Sequence, residues 1–168
     1  WQNWLSDEEC SGGAILDLHV HDLDFAQYLL GRPQALCSTG TPRFTGGYDA
    51  VNTTLVYPNK GELTVDVGAE MGLPADFGFK MQFMASFDEG CLVFDTSSTP
   101  PVVEMTNSGE EHPEVKNADG WQEEIAYFVD CVDNDREPAE CPPESTAFSV
   151  RMVEAERQSI ESGQLVEF

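Results

Sequence analysis

Three features of the 168-residue chain predict an α+β fold, an open and largely antiparallel β-sheet with helices packed on one face. A helical segment spans Asp17 to Leu30, apolar and polar residues then alternate with period two from Gln34 to about Val103, and two more helical segments close the chain. Consecutive hairpins with one apolar face need cover on one side only, unlike a doubly wound parallel sheet.

The first helix follows Gly12-Gly13 and ends at Gly31 and Pro33, both stop signals. In Glu62 to Glu70, Leu63, Val65, Val67 and Ala69 alternate with polar residues and Gly68, which describes a strand with one wet face. Phe79, Met81, Phe83, Ala85 and Phe87 repeat the pattern, and Asp88-Glu89-Gly90 turns into Cys91 to Asp95. A second hairpin is expected at Pro58-Asn59-Lys60-Gly61. Residues Pro100 to Gly120 read as a long connection with one short strand at Val102 to Met105. Asp119-Gly120-Trp121-Gln122 has capping-box spacing, and Trp121, Ile125, Phe128, Val129 and Val132 follow at helical intervals to about Asn134, so this helix is expected to pack one face. Pro142-Pro143 opens a third helix with Phe148, Met152, Ala155 and Ser159 on one stripe, Val150 and Val153 beside it, and Gly163 as its stop. Leu165 to Phe168 supplies a last short strand.

A formal charge of −23 makes nucleic acid a poor partner. The acids are spread along the whole chain beside only three lysines (Lys60, Lys80, Lys116), a pattern resembling proteins adapted to high salt. No apolar run approaches the roughly 20 residues of a membrane span, and no signal peptide is visible, so a soluble, cytoplasmic protein is expected. Cys10, Cys37, Cys91, Cys131 and Cys141 are odd in number, widely spaced and without a Cys-x-x-Cys pair, and read as reduced core thiols. Glycine motifs for a dinucleotide, a phosphate loop and a nucleophile elbow are all lacking.

On a helical wheel, Asp17, His21, Asp24 and Tyr28 form one polar stripe, with Leu18, Phe25 and Leu29 on one flank, Leu16 and Val20 on the other, and Leu23, Ala26 and Leu30 behind. Such a helix is expected to be buried around most of its girth, with the stripe facing a cleft. A carboxylate one turn from an imidazole can fix its tautomer and stabilise its charged form, which suits a general base. The same spacing is met if Asp17 caps the helix start and His21 is a satisfied interior histidine. A metal-dependent hydrolase is a further alternative, because Ile15 to His21 resembles the His-x-His strand of amidohydrolase-type enzymes. If the segment is helical, however, His19 and His21 point about 200° apart and cannot share an ion.

Ser11-Gly12-Gly13-Ala14-Ile15-Leu16-Asp17 through His21 and Asp24, running to Leu30-Gly31-Arg32-Pro33, resembles the stretch opening the C-terminal domain of the Gfo/Idh/MocA family of NAD(P)-dependent oxidoreductases. The likeness continues through Ala50 to Gly61, Trp121 to Val132 and Ser159 to Val166. It implies that residues 1–168 form a single substrate-binding and oligomerisation domain, preceded by a Rossmann domain that holds NAD or NADP. The cofactor-side lysine of the family, in a Glu-Lys-Pro motif, has no counterpart here, so the chain alone is expected to be inactive. By the same resemblance His21 is the acid/base acting on a sugar, sugar-derivative or cyclitol hydroxyl as hydride leaves for the nicotinamide, and Asp17 is its partner or a substrate ligand. Tyr28 is expected to contact substrate, while Gly12, Gly13 and Asp24 support the site. A homo-oligomer through the free sheet face is expected, with Glu62, Asp66 and Glu70 on that face needing pairing or solvent. A non-catalytic association module is the remaining alternative.

Overall fold

The computed structural model describes residues 4–58, 63–116 and 118–168. They form two compact units, Trp1–Leu73 with Pro138–Phe168, and Pro74–Glu137.

The first unit begins with a 3-10 turn at Trp4–Ser6, followed by three helices, α1 (Glu8–Ser11), α2 (Ala14–Asp17) and α3 (His19–Leu30). Strands β1 (Ala35–Pro42), β2 (Tyr48–Val56) and β3 (Thr64–Glu70) form an antiparallel meander. After the second unit, the long helix α5 (Pro143–Ser162) leads to β8 (Val166–Glu167), which pairs antiparallel with β1 and gives the order β3-β2-β1-β8. Strand alternation places Leu36, Ser38, Val51, Thr53 and Leu55 on a buried face, and Thr39, Asn52, Thr54, Asp66 and Glu70 on an exposed one. Helix α5 packs on β1, α2 on β2 and α3 on β3, so the helices of this unit cover one face of the sheet, as its alternation requires. The core joins Ile15, Leu23, Leu36, Val51, Leu55, Phe148, Met152 and Val153. The expected stripe of α5 is buried along Phe148, Met152, Ala155 and Ser159, whereas Val150 is exposed.

The β1–β2 connection closes around Asp49, a fully buried carboxylate. It accepts the backbone N–H groups of Arg43, Phe44 and Thr45 and the Thr45 hydroxyl. Burial opposes its charge, but these donors outweigh burial and hold the carboxyl below its ordinary range. On the exposed face Thr54 donates to Asp66 and Arg43 pairs with Glu70, so both carboxylates are engaged.

The second unit holds a separate antiparallel sheet, β4 (Gln82–Phe87), β5 (Gly90–Asp95), β6 (Val102–Thr106) and β7 (Gly109–Glu111), in sequence order. The strands therefore sort into two sheets, not one. Between β3 and β4, Gly72 and Gly78 adopt positive φ, Pro74 intervenes and Ala75–Phe77 forms a 3-10 turn, which ends the alternation. Phe79 consequently precedes β4, while the expected turn at Asp88-Glu89 joins β4 to β5. Helix α4 (Gly120–Asp133) starts where Asp119 accepts the Trp121 N–H at 3.0 Å. Its apolar positions Trp121, Ile125, Phe128, Val129 and Val132 are exposed, against the expectation of a packed face; its period marks the helix without supplying a partner. The turn expected at Pro58 to Gly61 lies mostly outside the described residues. All five cysteines are free, but Cys10, Cys37 and Cys141 are exposed, so only Cys131 is a core thiol.

Candidate active site

The candidate stripe is carried by two short helices rather than one. Helix α1 stops at Gly12 (φ 77°), and Gly13 (φ 75°) precedes α2, both in the region that side-chain-bearing residues disfavour. A Cβ on Gly12 would also meet the Leu16 side chain at 2.6 Å. The Gly13 N–H is satisfied by the Ser11 hydroxyl, and the Gly12 carbonyl accepts from Arg157 at 3.0 Å. Helix α2 lasts four residues, then breaks at Leu18 (φ −116°, ψ −55°), where the His21 N–H reaches back only three residues to the Leu18 carbonyl at 3.0 Å.

Asp17 therefore ends α2 and is half-buried, while His21 lies in the first turn of α3 and is exposed. Among the described residues no hydrogen bond joins them, and neither side chain is committed to another protein group. Asp24 points elsewhere: it accepts the Ser149 hydroxyl at 2.6 Å and Gln27 at 3.4 Å, and Gln27 also donates to Ser149 and the Ser145 carbonyl. This network docks α3 on α5. Tyr28 is exposed and donates to Glu140 at 3.2 Å. The helix is not buried around most of its girth: Leu23 and Ala26 are buried, but Leu16, Phe25 and Leu29 are exposed. The reason is that core and sheet cover only the side of α3 that carries Leu23.

Sequence reasoning missed the role of the neighbouring histidine. His19 is fully buried, its Nε2 lies 2.9 Å from Oε1 of the equally buried Glu156 of α5, off the N–H axis, and its Nδ1 meets Asp22 at 3.3 Å. Burial disfavours a charged ring, yet the two carboxylates outweigh it and push His19 up to about 9, so it is an imidazolium at neutral pH. Glu156 also accepts from Thr53, whose hydroxyl bonds to Ser38 at 2.8 Å, so the pair is rooted in β1 and β2. A buried histidine facing an acid far along the chain has no local signature. The two histidines accordingly leave the helix on different sides, one into the core and one to the surface, and among the described residues no group of three potential metal ligands converges.

The fold recurs in solved structures. An assigned NADPH-dependent oxidoreductase from Desulfitobacterium hafniense superposes with a TM-score of 0.81 at 18% identity, over 98% of this chain and 51% of its own. Aldose-aldose oxidoreductase from Caulobacter crescentus, solved with glycerol, gives 0.78 at 19% over 98% and 50%. Levoglucosan dehydrogenase, solved with NADH and levoglucosan, gives 0.78 at 16% over 98% and 52%. The chain thus spans about half the length of these structures. A search of curated protein sequences finds no match. The model of the GFO/IDH/MocA C-terminal domain matches residues 1–92, which include the glycine turn, the broken helix and the two expected catalytic residues, Asp17 and His21. This chain belongs to the GFO/IDH/MocA C-terminal domain family.

Proposed function

We propose that the chain is the substrate-binding half of a cytoplasmic NAD(P)-dependent oxidoreductase acting on a hydroxyl of a sugar, sugar derivative or cyclitol. The observation that carries this reading is the pair of uncommitted groups at the α2–α3 break, an exposed imidazole and a half-buried carboxylate. An exposed imidazole can accept the proton of a bound hydroxyl, and the carboxylate can accept a second hydroxyl and favour the charged ring. Tyr28, seven positions beyond His21 and already held by Glu140, offers a further contact for a polyhydroxylated substrate. The aldose in the name of the aldose-aldose oxidoreductase and the levoglucosan bound to levoglucosan dehydrogenase support the substrate class.

The residues of this chain do not fit a dinucleotide. The described sheets are antiparallel, and the sequence lacks a strand, glycine-turn and helix unit that would cradle a pyrophosphate. The nicotinamide that accepts hydride is therefore assigned to an N-terminal half, without which this chain does not turn over. The exposed, polar face of the β3-β2-β1-β8 sheet is the proposed surface for a homo-oligomer, with Asp66 and Glu70 already paired by Thr54 and Arg43. The test is to express the chain with its upstream coding region and follow NAD(P) reduction with a panel of sugars and polyols. Turnover that needs His21 supports the reading, and a protein that binds no nicotinamide overturns it.

A further inference from the structure

Helix α2 has four residues, far too few to hold its own direction, so tertiary contacts must set it. Its core side is pinned by Ala14 and Ile15, both fully buried. Neither of its ends is fixed by a side-chain cap: a double-glycine turn precedes it at Gly13, and a break follows it at Leu18. Asp17 and His21 stand on opposite sides of that break, so their mutual placement depends on how both ends are held.

We propose that Glu156 and Arg157, adjacent on α5, are positioning residues for Asp17 and His21, one gripping the start of α3 through His19 and the other the glycine turn that opens α2. Arg157 donates to the Gly12 carbonyl at 3.0 Å and lies 3.7 Å from Glu8. Glu156 faces His19 as a buried ion pair at 2.9 Å, and its carboxylate accepts from Thr53 of β2. The clamp thus refers both ends of α2 to one turn of α5 and to the sheet beneath it. A buried ion pair is a poor means of gaining stability compared with apolar packing of similar volume, and its attested use is to specify one geometry. Ile15, Leu23, Met152 and Val153 pack in the apolar core of the same unit, while Thr53 and Ser38 continue the polar contact of Glu156 into the sheet.

The inference rests on His21 being the proton acceptor, and its test separates the two. In the cofactor-complete protein, Glu156→Gln and Arg157→Ala are expected to lower kcat about tenfold or more, the scale of a small misplacement of a reacting group, while KM stays within about twofold. Arg157→Lys should recover part of the loss, because a donor again reaches the Gly12 carbonyl. In the 168-residue chain, hydrogen exchange at the His21 amide should quicken in both variants. If Glu156→Gln fails to fold, Arg157→Ala carries the test, since its half-buried side chain makes one hydrogen bond to the turn. Unchanged kcat in folded variants, with only a lowered melting temperature, overturns the positioning role. Turnover retained in His21→Asn overturns the acid/base reading instead, and turnover lost there but kept in both α5 variants overturns positioning alone.

Discussion

At the scale of single residues, His19 makes stability depend on pH. The folded ring keeps its proton up to about pH 9, whereas the unfolded ring releases it near 6.5, so the folded chain binds more protons between these values. The contribution of the pair is fully present below about pH 6.5 and is lost as pH rises through 9. Melting temperature should fall across this window, and His19→Gln should flatten the fall; an identical slope in the variant would contradict the assignment. Tyr57 makes a second case. It is 4% exposed, its hydroxyl has no hydrogen-bond partner among the described residues, and burial pushes it up to about 12. Tyr57→Phe removes that unpaired hydroxyl and should be neutral or stabilising by about 1 kcal/mol in denaturant unfolding, whereas a loss of stability would reveal a partner.

At the scale of elements, α3 shows what one sequence window carries and what it does not. Its end at Gly31 was legible because a glycine of positive φ closes a helix, and the stripe of α5 was legible because four residues at helical spacing all enter one core. The break at Leu18 was not, since a wheel drawn at a uniform angle per residue passes over a backbone that tightens for one turn. Helical spacing set His19 and His21 on different sides, but nothing local showed that His19 is drawn into the core, because its partner Glu156 is contributed by the last helix. The one-sided burial of α3 has a direct consequence. Leu23→Ala should cost about 2–5 kcal/mol, and Leu29→Ala less than about 0.5 kcal/mol, as measured by denaturant unfolding. Equal losses would mean that both sides of the helix are packed.

At the scale of the whole molecule, alternation revealed strands but not their division into two sheets, because pairing partners are chosen by turns and breaks such as Gly72 to Gly78. Charge acts at this scale too. With a formal charge of −23 and few cations to offset it, the folded chain repels itself, and added salt screens that repulsion. Melting temperature should therefore climb as sodium chloride is raised from low concentration, and a fall would show that ion pairs such as Arg43 with Glu70 outweigh the repulsion. The oxidoreductase reading itself depends most on His21, the exposed imidazole at the α2–α3 break. The decisive measurement is kcat of His21→Asn in the cofactor-complete protein with a substrate found by the sugar panel. A fall of about 10²–10⁴-fold with the fold intact is the expected result for loss of a general base. Wild-type turnover in that variant would contradict it and leave His21 outside the chemistry.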